Sequence, residues 1–120
     1  MEEANRNRQI EISASKIQIN STAEHVARNL YNEIIKYQNN LLNAEDVAMM
    51  LVQFNQSFTI LVKGIGYSGY NLVCFHGEDN NGKPIELIQH VQQLNFLLTV
   101  VQNPEPEAPK RKIGFVGQVD

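Results

Sequence analysis

One long amphipathic repeat constrains this chain more than any other feature. Ala23, Ala27, Leu30, Ile34, Tyr37 and Leu41 recur at threes and fours, and Val26, Tyr31, Ile35 and Leu42 widen the stripe. A helix with a single apolar stripe needs a surface to cover it, so the remaining residues must supply one. Ser21-Thr22-Ala23-Glu24 marks the start: the serine oxygen can accept a first-turn N–H while the glutamate reaches back, as in a capping box. Asn40 to Asn43 close the helix.

The covering surface reads as strands. Gln9 to Ile19 alternates apolar and polar residues at Ile10, Ile12, Ile17 and Ile19, which predicts one or two short edge strands. Val47 to Val52 is a short run apolar on both faces, a buried strand, and Phe58 to Lys63 is rich in β-branched and aromatic residues. The glycines at 64, 66 and 69 predict a bend before Leu72 to His76, and Asn80-Asn81-Gly82 is a hairpin signal that returns the chain into Pro84 to Ile88. From His90 to about Val101, with Leu87, Val91, Leu94, Leu98 and Val101 on one side, the spacing predicts a second amphipathic helix stopped by Asn103-Pro104. The fold class is therefore α+β: an antiparallel β-meander of about four to six strands, two amphipathic helices and an extended C-terminal tail.

At 120 residues the chain makes a single domain over 1–120, with 1–8 and 116–120 expected to fray. Residues 103–115 carry three prolines, which makes them extended, and end in apolar Ile113 and Phe115, which look like a docking anchor. Ten Lys+Arg stand against thirteen Asp+Glu, a net charge of −3, so DNA and anionic membranes are not the expected partners and any anion site must be local. A single cysteine, Cys74, excludes an intrachain disulfide framework, and with three scattered histidines it excludes a closed Cys/His zinc cluster. The apolar runs are too short to cross a bilayer and the N-terminus has no signal-peptide core, so a cytoplasmic, non-membrane protein is expected. Fourteen Asn and ten Gln suit turns and polar surface, or the reading of base and ribose edges.

Enzyme templates fail. GxSxG, GxxxxGK[ST], HExxH, CxxC and DxDxDG are all missing. Gly64-x-Gly66-x-x-Gly69 spells GxGxxG, yet a strand follows where a dinucleotide site needs a helix. Cys74 and His76 face one side of a strand, but a thiol in an apolar strand behaves as a small buried hydrophobe. Glu78-Asp79 adjoins a solvated turn, His90 reads as a hydrogen-bonding residue at the start of the last helix, and His25 suggests no special role. No cofactor or metal is called for. Lys110-Arg111-Lys112 is the cluster with chemical promise: prolines stiffen it, Ile113-Gly114-Phe115 can pin it, and a held arginine forks onto phosphate. Arg28, beside the apolar stripe of the first helix, is a second phosphate candidate.

Taken together, IGY at 65–67, NLVCFHG at 71–77, NGKPIELIQH at 81–90, QLNFLL at 93–98 and PKRKIGF at 109–115 resemble the first-described type of the small phage-encoded Thoeris anti-defence sponges. The likeness spans roughly residues 23 to 115. It implies a non-enzymatic protein in the cytoplasm of an infected bacterium that holds cyclic ADP-ribose isomers made by TIR-domain proteins. Some members also hold cyclic di- or trinucleotides at a separate site. The resemblance further implies a homo-oligomer, from dimer to hexamer, with ligand between chains. Arg111 and Arg28 match the arginines on the pyrophosphate, Lys110 lies beside Arg111, and Asn95 matches an asparagine that helps fix the ligand. Ile85 stands where an aromatic is expected, so base stacking falls to Phe75, Phe115 or Tyr67, or to aliphatic packing. The competing expectations are a hydrolase, which lacks catalytic groups here, and a protein-binding inhibitor of a host defence effector that docks through Pro104 to Phe115.

Overall fold

A computed structural model describes residues 22–53, 55–105 and 107–119; the strands expected within 9–19 and the fraying expected at 1–8 lie outside them. Helix α1 (Ala23–Asn39) is followed by β1 (Glu45–Gln53), β2 (Gln56–Ser68), β3 (Leu72–Glu78), β4 (Pro84–His90), β5 (Leu97–Gln102) and β6 (Gly114–Gln118). The fold is α+β, a sheet ordered β4-β3-β2-β1-β5 with antiparallel neighbours, and β6 added parallel to β2. α1 packs against β1, β2, β3 and β6. Its Ala23, Ala27 and Ile34 share one core with Val47 and Met49 of β1, Val62 and Ile65 of β2 and Val73 and Phe75 of β3. No helix among the described residues is long and apolar enough to cross a membrane.

The stripe that predicts α1 is the face it buries, but its cap is displaced by one residue. Thr22, with extended backbone, is the N-cap, and its hydroxyl accepts the His25 N–H. Glu24 is thereby released from capping.

Strand β2 runs straight through the expected bend at Gly64 and Gly66. A bulge between Val62 and Gly64 shifts its register against β3, and the turn waits until Gly69, whose φ is +62°. Gly66 has a packing reason instead: a Cβ there would stand 2.6 Å from the Gly117 carbonyl oxygen of β6.

The second helix expected over 90–101 is not formed. Residues 91–96 make a turn and an irregular crossing, and Leu97–Gln102 is strand β5, with Leu98 opposite Met49 and Val100 opposite Val47. LLTVVQ suits either period locally; the edge of β1 offers it backbone hydrogen bonds and a place for alternate side chains on the core, which decides for strand. Residues 116–118, expected to fray, lie in strand β6. Of the tail expected to be extended over 103–115, a turn interrupts the first part, where the Ala108 N–H donates to the Glu105 carbonyl, and 114–118 pairs with β2, Ile65 opposite Phe115, beside buried Ile113.

Candidate functional site

The tail is tied to α1 and to the connection that follows it. Asn103 donates its N–H to the Ala44 carbonyl at 2.7 Å, and Lys110 Nζ donates to the carbonyls of Leu41 and Leu42 at 2.8 and 3.1 Å. These carbonyls lie just past the Asn40 C-cap, in the connection to β1. Gln38, buried on the helix, donates from Nε2 to the Arg111 carbonyl at 2.7 Å. A groove of about 330 Å³ lies between Tyr31, Ile35, Gln38 and Asn39 of α1 and residues 110–113 of the tail. A second cavity, about 230 Å³, is lined by Arg28, Tyr31, Asn32 and Phe115, so Tyr31 borders both.

Phe115 is the platform of this region. Its ring meets Tyr31 edge-on at 5.8 Å and Tyr67 at 6.4 Å, and the Arg28 guanidinium carbon lies 4.7 Å from its centre. Arg28 Nη2 also stands 3.7 Å from Glu24 Oε1, the same oxygen that accepts the Tyr67 hydroxyl at 2.9 Å. The bond to Glu24 holds the Tyr67 phenol proton and raises its pKa above the usual 10.

Arg111 is more enclosed. Its Nη1 is buried and makes no hydrogen bond among the described residues, while Glu78 Oε2 stands 3.9 Å away, too far for one. Glu78 also accepts from Lys63, and that bond, with the charges of Lys63 and Arg111, holds its carboxyl below the ordinary glutamate range against a smaller opposing effect of burial.

Several expected ligand residues are therefore placed differently. Phe75 is fully buried and packs edge-on against Phe96 at 5.3 Å, so it cannot stack on a base. The Lys110 ammonium is committed to the carbonyls of Leu41 and Leu42, which makes it the pin of the tail rather than a ligand cation. Asn95 is exposed in the connection between β4 and β5 and lines neither groove cavity. Arg28 and Phe115 are brought together. Arg28 and Arg111 line separate cavities, which have Tyr31 in common.

A cavity of about 520 Å³ lies elsewhere, between the hairpin ends, over Leu51, Phe58, Ile60, Ile85 and Leu87 with Asp79, Asn80 and Asn81 at its rim. Among the described residues no cation lines it, which does not suit a diphosphate. Ile85 lies here. Cys74 is buried, and burial pushes its thiol pKa up, against a nucleophilic role. His90 Nδ1 accepts the Gln92 N–H at 3.1 Å, but at the end of strand β4 and not at the helix terminus expected there. The described residues contain no group of three His, Cys, Asp or Glu able to hold a metal ion.

Neither Glu24 nor Gln38 stands out in the sequence as a site residue. For Gln38 the signal was present, an amide four residues after Ile34 on the apolar stripe; for Glu24 the capping box concealed it. A family described as being of unknown function, DUF6173, matches residues 15–116. The chain belongs to this family. The DUF6173 match takes in α1, strands β1 to β5 and the tail as far as Val116, so the helix–tail groove lies inside it. No curated protein and no solved structure matches the chain.

Proposed function

We propose that this protein is a non-enzymatic sponge of phage anti-defence type, which binds cyclic ADP-ribose isomers in the cytoplasm of the infected bacterium and withholds them from the host's effector. The observation that carries the reading is the pinned tail. Two of its cations are held: Lys110 by the Leu41 and Leu42 carbonyls, and Arg111 by the Gln38 bond to its main chain, with a buried Nη1 that keeps an unused donor. Arg28 presents a second guanidinium on an aromatic platform, with 58% of its side chain exposed. Forked cations beside aromatic rings and amides are what a diphosphate with an attached adenine requires.

In this reading copies meet, each site joining residues of two chains in a homo-oligomer. A groove this open encloses little of such a ligand alone, and an interface closes it. Sequestration needs affinity and copy number, not a nucleophile or general base.

The test is to incubate the purified protein with a glyco-cyclic ADP-ribose isomer, denature it by heat and identify what is released. Intact ligand is expected. A cleaved product means a hydrolase instead; no thermal shift with any isomer, together with capture of a host effector, means the protein-binding inhibitor.

A further inference from the structure

Two side chains that the function above does not itself require surround Arg28. We propose that Glu24 and Tyr67 are positioning residues for Arg28, holding its guanidinium over Phe115 so that it meets an incoming phosphate already oriented; the ligand half of this rests on the proposed function.

An exposed carboxylate–arginine pair one helical turn apart is weak by itself, and Lys36 with Glu33 at 3.3 Å is an ordinary example on the same helix. The Glu24 pair differs because both partners are held from outside the helix. Tyr67, on β2, donates its hydroxyl to Glu24 Oε1 at 2.9 Å, anchoring the carboxylate to the sheet. Phe115, on β6, lies 4.7 Å beneath the guanidinium carbon and is itself bordered by Tyr31 and Tyr67. The result is a closed circuit, Glu24 to Arg28 to Phe115 to Tyr67 and back to Glu24, drawn from α1, β2 and β6. An arginine in solution has many rotamers to lose on binding, and one held by such a circuit has lost them beforehand. The Thr22 cap makes this possible, since Glu24 would otherwise be turned back on the helix N-terminus.

The first readout needs no ligand. In nitrogen-15 relaxation of the arginine side chains of the full-length protein, Arg28 Nε is expected in the ordered range, falling below an order parameter of about 0.6 in both Glu24→Gln and Tyr67→Phe. Order retained in either variant overturns the proposal. Thermal unfolding within a degree or two of wild type shows that the loss is local; where Tyr67→Phe unfolds early, Glu24→Gln decides. Titration with the glyco-cyclic isomer then separates the two ideas. Tyr67→Phe, which alters no charge, is expected to weaken binding by about 3- to 10-fold, the range that immobilising one side chain costs, while Lys36→Ala leaves it unchanged. Equal affinities of Tyr67→Phe and wild type overturn the positioning role in binding. A wild-type protein that takes up no isomer overturns the sponge reading, and the relaxation result still decides the circuit.

Discussion

Arg111 and Glu78 show how single side chains here serve both stability and the proposed function. Replacing Arg111 by alanine removes a forked donor from a phosphate while leaving the main-chain bond to Gln38 in place. The expected outcome is a loss of about 2–4 kcal/mol in ligand binding with little change in unfolding temperature, checked by titration calorimetry beside thermal denaturation. Glu78 gives a pH signature. Its folded pKa lies below the ordinary value of 4.5, chiefly through the bond from Lys63, so its contribution to stability is complete above that value and disappears as pH falls through the folded pKa. Unfolding temperature followed from pH 6 downward should therefore drop more steeply below about pH 4.5 in wild type than in Lys63→Gln. Parallel curves would show that the pair does not couple to folding.

At the scale of elements, β5 and the tail are the parts whose environment mattered most. LLTVVQ is compatible with a helical stripe and with alternation; β1 supplies the edge that selects the strand. Hydrogen exchange distinguishes the two directly. A strand paired on one side protects every second amide, so residues 97–102 should alternate slow and fast, whereas a helix would protect consecutive amides. The tail follows a similar logic. Lys110 binds the Leu41 and Leu42 carbonyls in the connection after α1, Ile113 is buried, and only then does the chain regain strand geometry beside β2. Gly66 is what allows β6 to approach β2 so closely.

At the scale of the whole molecule, the openness of the helix–tail groove carries the strongest consequence. A ligand enclosed between copies makes the protein an oligomer, and light scattering behind size-exclusion chromatography should return a multiple of the 13.6 kDa chain mass. A monomer that nevertheless binds the glyco-cyclic isomer with one ligand per chain would move the site to a single groove.

Much of this was legible in local periodicity. The α1 stripe, the strands β1 to β4 and the Asn80-Asn81-Gly82 turn follow from neighbours within a few residues, because burial of one face imposes a period of 3.6 or 2 on the sequence. The tail could be read as a docked segment, since prolines and an apolar end are local signals too. What only the tertiary structure decided depends on partners distant in sequence: β5 as a strand on β1, Lys110 as a pin on the connection after α1, Phe75 inside the core, and Glu24 released to Tyr67 and Arg28. A hydrogen bond or a packed ring is an agreement between two surfaces, and a periodicity describes only one of them.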